Sequence, residues 1–168
     1  MAALNHDFVS KHPPMEATQG MWTIQRIHVP IGQRIYRFGS TAAPNLWYAG
    51  AWWMRFEDLV KIRTFAERSK VSLGYAARRL LAIKYEWGKA NVLASALVSA
   101  PLDAYAGRGR VQVDDRAASG GTYDWHPPTD VMQLFIPGLV DGSKRRSEVS
   151  RRALIQERHE FIRSEAFG

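Results

Sequence analysis

The residues best suited to chemistry lie close together in the first third of the chain. Arg37 stands near the end of a predicted strand and is followed closely by the small residues Gly39 and Ser40. Three of the six tryptophans lie within sixteen residues after it: Trp47, Trp52 and Trp53. A guanidinium binds phosphate through paired N–H donors, and indole rings stack on flat ring systems. The segment therefore predicts a pocket for a flat, phosphate-bearing ligand.

The side chain of Arg37 is expected to lean inward, because residues 33–38 predict a strand. Alternation along this strand places Arg37 on the same face as the apolar Ile35. A cation on a half-buried face requires an anion or several hydrogen-bond acceptors nearby. Two interpretations therefore fit Arg37: it binds a ligand phosphate, or it forms a structural ion pair with a carboxylate.

Gln133 is a second candidate, and it lies on a late apolar segment of the chain. Residues 131–136 (VMQLFI) predict a strand that a Pro-Gly pair ends. Alternation places Gln133 on the same face as Val131 and Phe135, so its amide points into apolar surroundings. A buried amide must find hydrogen-bond partners. Gln133 is therefore either a satisfied structural residue or a residue that contacts a ligand.

Hydrophobic periodicity predicts the elements that position these two residues. Apolar–polar alternation and β-branched residues favour strands at residues 22–29, 33–38, 91–98, 102–105 and 131–136. Apolar stripes at helical spacing predict helices over residues 55–68 and 73–81. Residues 106–110 (AGRGR) are expected to form a glycine-arginine loop. The predicted fold is α+β: a split, mostly antiparallel sheet of five or six short strands with helices packed on it.

Both ends of the chain are predicted to lie outside the central α+β domain, residues 21–140. Residues 1–20 are polar and show no period, which predicts a flexible, extended N-terminal arm. Residues 143–168 carry seven basic and four acidic side chains. A narrow apolar stripe at helical spacing predicts a basic C-terminal helix over residues 141–168. This helix either packs on the domain with a solvated face or forms a contact surface for nucleic acid or an anionic protein.

The composition excludes several kinds of site. A chain of 168 residues, 46% of them hydrophobic, is long enough for one globular domain with a real core. It has no cysteine, which excludes disulfides, zinc–thiolate sites and cysteine nucleophiles. The five histidines lack metal-ligand spacing. The net charge of +7 favours anionic partners.

The sequence shows no signal for a membrane or for secretion. No apolar run approaches the roughly 18 residues that a membrane-spanning helix needs. The first residues lack the basic start and apolar core of a secretory signal. The expected location is therefore the cytoplasm, without contact to a membrane.

Seven short motifs follow one another in a fixed order between residues 22 and 140. They are Tyr36-Arg37-Phe38-Gly39-Ser40, Gly50-Ala51-Trp52-Trp53, Leu81-Ala82-Ile83, Glu86-Trp87-Gly88, Pro101-Leu102, Tyr105-Ala106-Gly107 and Gln133-Leu134-Phe135-Ile136-Pro137-Gly138. This order resembles the ADP-ribosyltransferase-like fold, and especially the small toxin domains of that superfamily found in bacteria and phages. The resemblance implies a split β core around a cleft that binds NAD.

The resemblance also implies a role for each candidate residue. Arg37 would bind the NAD phosphates, residues 50–54 would support the nicotinamide ribose, and Gln133 would hold the ribose beside the scissile bond. The other residues that it assigns to NAD binding are Gly39, Ser40, Trp52, Trp53 and Tyr105. The chain departs from the family in two places. The late strand carries Gln133 and no glutamate, and tryptophans replace the usual serines of the second motif.

Three functional hypotheses follow. The first is an NAD-consuming enzyme that cleaves the nicotinamide–ribose bond by hydrolysis or by ADP-ribosyl transfer, or a catalytically silent copy of such an enzyme. The second is a nucleic-acid-binding protein without catalysis, favoured by the net charge, the glycine-arginine segment and the basic tail. The third, a structural phage or assembly protein, has no positive signal in the sequence.

Overall fold

The computed structural model describes residues 2–84, 87–114, 123–125, 127–128 and 130–165, which form an α+β fold. Its nine strands are β1 (Met21–Val29), β2 (Arg34–Gly39), β3 (Trp52–Trp53), β4 (Val92–Val98), β5 (Leu102–Gly109), β6 (Gln112–Asp114), β7 (Tyr123–Trp125), β8 (Met132–Phe135) and β9 (Leu154–Phe161). Its four α-helices are α1 (Met15–Gly20), α2 (Phe56–Ser69), α3 (Leu73–Leu81) and α4 (Glu148–Ala153). The predicted α+β class is confirmed, with more strands than expected.

Two antiparallel sheets carry most of the strands. The first has the order β1-β5-β8-β3 and the second has the order β2-β4-β9, while β6 and β7 form a separate pair. One bridge joins the two sheets, between Tyr36 of β2 and Met54 just after β3. Its two backbone hydrogen bonds measure 2.9 and 2.8 Å. The sheets therefore meet at this bridge, which places β2 beside β3.

The main core lies between the two sheets. Its large members are Ile35, Trp53, Leu102, Leu134 and Leu154, all at most 2% exposed. Small residues of the inner strands, Ala94, Ala96, Ala104 and Ala106, are buried among them. Because alanines leave little bulk on the strand faces, the two sheets can approach closely around the aromatic ring of Trp53.

The two predicted helices are confirmed as α2 and α3. Ser72 caps α3, because its hydroxyl accepts a hydrogen bond of 3.2 Å from the backbone N–H of Tyr75. Ile62 of α2 and Ala76 and Ala77 of α3 are fully buried in a second apolar cluster that also holds Phe38 of β2. The helices are thereby fixed against the strand that carries Arg37. No helix among the described residues is long and apolar enough to cross a membrane.

The expected glycine-arginine loop is wrong, because residues 106–109 continue strand β5. Gly107 pairs with Gln133 of β8, and Arg108 pairs with Trp22 of β1 and Met132 of β8. A Cβ atom on Gly107 would lie 2.7 Å from the carbonyl oxygen of Trp22. Glycine at this position permits the close approach of neighbouring strands. In the sequence, such a glycine cannot be distinguished from a glycine of a loop.

The predicted basic C-terminal helix is also wrong. Helix α4 has only six residues, and the chain then forms β9, which pairs antiparallel with β4 from Leu154 to Phe161. Leu154 is 2% exposed, so this segment belongs to the core of the domain and not to a separate module. The unpaired edge of β4 supplies backbone partners to β9, and these tertiary bonds outweigh the helical spacing of three apolar residues.

The expectation of an extended N-terminal arm is wrong as well. Residues 2–20 contain a 3₁₀ turn, His6–Phe8, and helix α1, and they pack on the first sheet. Asn5 is fully buried. Its Nδ2 donates to the carbonyl oxygens of Asp103 at 2.8 Å and Pro137 at 2.9 Å, and its Oδ1 accepts from the N–H of Asp103 at 2.9 Å. One polar side chain thus attaches this segment to two regions of the domain.

Replacing Asn5 with alanine should therefore destabilise the protein by about 1–3 kcal/mol, because three buried backbone groups lose their partner. Urea unfolding at constant pH measures this loss. Asn45 is exposed in a 3₁₀ turn, so Asn45→Ala serves as the control and should change stability by less than about 0.5 kcal/mol. Equal stability of the two variants would show that the attachment through Asn5 contributes nothing.

Candidate functional site

A cavity of about 440 Å³ is lined by residues from both sheets. Strands β2, β3 and β8, the end of α3, and helix α1 all contribute to its wall. The lining residues are Glu16, Gln19, Gly20, Arg37, Phe38, Trp52, Trp53, Met54, Leu81, Ala82, Ile83, Trp87, Gln112 and Gln133. Small-molecule sites commonly enclose roughly 300–1,000 Å³, and this cavity falls within that range.

Four of the residues singled out from the sequence line this cavity together: Arg37, Trp52, Trp53 and Gln133. They come from three strands, and the pairing of those strands explains their proximity. Trp53 of β3 pairs with Leu134 of β8, the neighbour of Gln133. The bridge between Tyr36 and Met54 brings Arg37 to the same place.

The remaining candidates are divided. Gly39 and Ser40 line a smaller pocket of about 70 Å³, which shares Arg37, Phe38, Ile83 and Trp87 with the larger cavity. Tyr105 does not line either space. It is 1% exposed, and its hydroxyl donates to the carbonyl oxygen of Ser10 at 2.6 Å. The expected ligand contact of Tyr105 is therefore wrong, because its ring is enclosed in the core.

The guanidinium of Arg37 belongs to a half-buried side chain and has few partners. Its Nη1 donates to the carbonyl oxygen of Trp52 at 3.1 Å, and its Cζ lies 5.8 Å from the ring centroid of Trp53. Its Nε is buried and has no hydrogen-bond partner in the part of the chain that the structure describes. None of the ion pairs between described residues includes Arg37. The described residues therefore offer no support for the structural ion pair.

Burial lowers the pKa of Arg37 to about 10. The side chain is still charged at neutral pH, because that value lies well above 7. A charged group at the wall of a cavity is strongly stabilised by an anion that enters it. Arg37 is therefore a group at the cavity wall that is suited to contact an anion.

Glycines provide the space for three of the cavity side chains. A Cβ atom on Gly50 would lie 1.7 Å from Nη1 of Arg37. A Cβ atom on Gly20 would lie 2.5 Å from the ring of Trp52, and one on Gly109 would lie 2.8 Å from Nε2 of Gln133. Gly50 lay within a predicted motif, but the roles of Gly20 and Gly109 depend on contacts between distant segments. No local sequence signal indicates them.

Gln133 forms a structural hydrogen bond, and its side chain also lines the cavity. It is 9% exposed, and its Nε2 donates to the carbonyl oxygen of Leu81 at 3.0 Å. Leu81 is the last residue of α3, so the amide satisfies one of the carbonyl groups that a helix end leaves without an intrahelical donor. The same amide also carries a second N–H and a carbonyl oxygen, and the side chain lines the cavity.

The loop after α3 forms another part of the wall, and Arg78 holds it in place. Arg78 is 1% exposed, and its guanidinium donates to the carbonyl oxygens of Ile83 at 2.9 Å and Gly88 at 2.8 Å. Trp87 on this loop is 57% exposed and lines both cavities. Glu86, which belongs to one of the motifs of the resemblance, lies outside the described residues.

Sequence reasoning missed the contribution of α1. Glu16, Gln19 and Gly20 line the cavity, although residues 1–20 were expected to form an arm. The only local signal was the helix-compatible stretch after Pro14. The packing of that stretch on the sheet depends on burial of Ala17 and on contacts with β3, which the sequence of the helix does not reveal.

Asp58 fixes α2 to the strand that carries Gln133. It is 1% exposed, and its carboxylate accepts a hydrogen bond of 2.9 Å from the backbone N–H of Met132. Lys61 lies 3.7 Å from the same carboxylate. Burial raises the pKa of Asp58, although the hydrogen bond from Met132 and the charge of Lys61 oppose this effect.

Asp58→Asn should therefore gain stability relative to the wild type as the pH rises. The folded protein retains the Asp58 proton above the pKa of about 3.9 that governs the unfolded chain, so ionisation disfavours the folded state. Asparagine does not titrate and keeps a carbonyl oxygen for Met132. Urea unfolding of both proteins between pH 4 and pH 7 measures the difference. A difference that is constant with pH would contradict the raised pKa.

Comparison with protein-family models and with curated proteins finds no match for this chain. The described residues contain no group of three or more histidine, aspartate and glutamate side chains that could hold a metal ion. The chemical groups of the cavity are therefore the guanidinium of Arg37, the aromatic side chains and the amides of its wall.

Proposed function

We propose that the chain is an NAD-binding protein with an ADP-ribosyltransferase-like fold, which cleaves the nicotinamide–ribose bond by hydrolysis or by ADP-ribosyl transfer. The observation that carries the proposal is the guanidinium of Arg37. It is half-buried and charged, it forms no ion pair among the described residues, and it lines a cavity together with tryptophans. A pyrophosphate in the cavity would offer acceptor oxygens to the guanidinium in the planar arrangement that arginine prefers.

Indole rings beside Arg37 favour a ligand with flat ring systems. Trp53 is 2% exposed and fixed by a hydrogen bond of 2.7 Å from its Nε1 to the carbonyl oxygen of Gly50. The ring of Trp52 lies edge-on to Phe135, with centroids 5.0 Å apart. Trp53 is enclosed in the core, whereas the half-buried ring of Trp52 is held at the cavity wall, where nicotinamide or adenine would bind without much loss of side-chain entropy.

The arrangement of the sheets supports the resemblance in its coarse features. The resemblance implies a split β core with an arginine on one strand, an aromatic segment on the next, and a polar residue on a late strand. In this chain Arg37, Trp52 and Gln133 line one cavity, to which both sheets contribute. The convergence of three distant segments on one cavity supports the proposed fold more strongly than the order of their motifs does.

Hydrolysis is favoured over transfer to a protein by the chemistry of the late strand. Cleavage of the nicotinamide–ribose bond builds positive charge on the ribose, which an oriented amide oxygen can stabilise. The amide of Gln133 does not act as a base at neutral pH, so it can only orient a hydroxyl group or a water molecule. Water is a small acceptor that needs no protein-binding surface beside the cavity.

The direct test is incubation of the purified protein with NAD, followed by chromatography for nicotinamide and ADP-ribose. Calorimetry with NAD measures binding separately from turnover. We expect that calorimetry detects NAD binding and that chromatography detects release of nicotinamide. The release should persist at 0.5 M NaCl. A protein that neither binds NAD nor releases nicotinamide would overturn the proposal.

Nucleic-acid binding without catalysis is the second candidate, and one surface feature favours it. Trp22 on the edge strand β1 is 51% exposed, and the guanidinium of Arg110 lies 3.4 Å from its ring centroid. An exposed indole next to arginine can stack on a base. Such binding should weaken steeply with salt, because it depends on counterion release. A titration of single-stranded oligonucleotide at several salt concentrations tests it.

A further inference from the structure

Helix α1 presents a carboxylate to the cavity. Glu16, Gln19 and Gly20 all line the cavity, and their spacing of three and four residues places them on one face of the helix. Ala17 is fully buried and belongs to the apolar cluster that also contains Met21, Phe135 and Tyr105. The helix therefore has one face toward the core and another toward the cavity.

Contacts at the C-terminal end of α1 fix its position against the site. The backbone N–H of Arg110 donates to the carbonyl oxygen of Gly20 at 2.9 Å. Nε2 of Gln112 donates to the carbonyl oxygen of Gln19 at 3.0 Å. Gly20 also lies against the ring of Trp52, where a Cβ atom would be only 2.5 Å from the ring. Glu16 is thus carried by a helix that rests on the aromatic wall.

The site needs a group that accepts a proton, and the strands do not provide one. The late strand carries Gln133 where the family usually has glutamate, and an amide is not a base at neutral pH. Among the described lining residues, Glu16 is the only one with a carboxylate. A carboxylate is a competent general base when it is held within reach of the attacking water.

We propose that Glu16 is the general base of the site, an inference that rests on the proposed NAD cleavage. The bond between C1′ of the ribose and the pyridine nitrogen breaks, and its electron pair passes to nicotinamide, which loses its positive charge. The oxygen of a water molecule bonds to C1′, and the carboxylate of Glu16 accepts the proton that this water releases. The proton then passes to solvent, so the products are nicotinamide, ADP-ribose and one proton.

The proposal divides the chemistry between two parts of the chain. Gln133 orients the ribose or the water, and Glu16 removes the proton. The N-terminal segment is therefore part of the proposed catalytic machinery. The resemblance assigns no role to this segment. A substitution of Glu16 therefore tests the role of this residue independently of the residues that carry the resemblance.

The test compares Glu16→Gln with the wild type for NAD binding by calorimetry and for nicotinamide release under saturating NAD. We expect an unchanged melting temperature, a similar Kd, and a turnover rate that is lower by about 100-fold to 10,000-fold. Glu148→Gln is the matched control, since Glu148 is an exposed glutamate in the first turn of another six-residue helix and does not line the cavity. The control should keep the wild-type rate.

Rescue distinguishes a base from a structural group. Formate added to Glu16→Ala should raise its turnover in a concentration-dependent manner, whereas formate should not change the rate of Glu148→Ala. If the wild type cleaves NAD and Glu16→Gln turns over at the same rate, the role of Glu16 is overturned alone. If the wild type binds NAD but releases no nicotinamide, the base is overturned while NAD binding stands. If it does not bind NAD, both proposals fall.

Discussion

Replacing Arg37 with alanine should weaken the binding of NAD strongly while leaving the fold largely intact. Loss of a charge-assisted contact to phosphate costs about 1.5–3 kcal/mol, which weakens binding by roughly 10-fold to more than 100-fold. The fold should tolerate the change, because Arg37 forms no ion pair among the described residues and donates one side-chain hydrogen bond, to Trp52. Calorimetry with NAD and thermal unfolding measure the two effects separately.

Arg34→Ala is the matched control for this experiment. Arg34 lies on the same strand, is exposed, and pairs with Glu157 at 2.6 Å on the surface. Its loss should leave the Kd for NAD unchanged and alter stability by at most about 1 kcal/mol. A large drop in the melting temperature of Arg37→Ala, with an unchanged Kd, would make Arg37 a structural residue and remove the basis of the anion site.

Gly50 provides an independent approach to the same guanidinium. A Cβ atom on this residue would occupy the position of the Arg37 side chain, 1.7 Å from Nη1. Gly50→Ala should therefore displace the guanidinium and weaken NAD binding about as much as Arg37→Ala. Gly142→Ala serves as the control, because nothing lies within 4 Å of a Cβ atom there.

A double-mutant cycle then tests whether Gly50 and Arg37 act together. The effects of distant, independent substitutions add, whereas those of residues in contact do not. Once Arg37 is alanine, the substitution of Gly50 should have little further effect on binding or stability. Additive losses would mean that Gly50→Ala disturbs the cavity by some other route.

Local pattern was sufficient for the parts of the site that lie on short, regular segments. The strand with Arg37, the helix over residues 55–68 and the strand with Gln133 each carry their own alternation or helical stripe. Pairing of antiparallel neighbours then brings their ends together. The proximity of Arg37, Trp53 and Gln133 could thus be anticipated, although the bridge between Tyr36 and Met54 that produces it could not.

The remaining parts depend on contacts between segments far apart in the chain. The tail carries apolar residues at helical spacing, yet it completes a sheet, because β4 offers an open edge over its whole length. Polar Asn5 reads as part of an arm, but it is fully buried where three backbone groups converge. Tyr105 belongs to a motif of the resemblance, and the same N-terminal segment encloses it through Ser10. The predictions for the tail, the N-terminal arm and Tyr105 were wrong because the sequence of a segment does not reveal which distant segment it packs against.

Gln133→Ala should lower turnover of NAD by on the order of 100-fold or more, with little change in the Kd. An amide that orients the ribose or the water acts mainly in the transition state, so its loss affects kcat and not binding. The variant should also lose about 1–3 kcal/mol of stability, because the carbonyl oxygen of Leu81 loses the N–H that lies 3.0 Å away. Turnover must therefore be measured well below the melting temperature of each protein.

Asn91 offers a control for the amide. Its Oδ1 accepts a hydrogen bond of 2.9 Å from the backbone N–H of Thr41, and it does not line the cavity. Asn91→Ala removes the same chemical group and a hydrogen bond to the backbone, but at a position without an expected role in catalysis. Its turnover should stay within a few-fold of the wild type.

Gln133→Glu separates the two functions of the residue. A carboxylate can hold a hydroxyl of the ribose, so this variant should retain turnover or gain the ability to transfer ADP-ribose to a protein. An ionised carboxylate cannot donate to Leu81, so the same variant should lose stability as Gln133→Ala does. If both variants lose stability equally while turnover is unchanged in either, the amide serves only to hold the end of α3, and the chemistry must lie with other groups of the cavity.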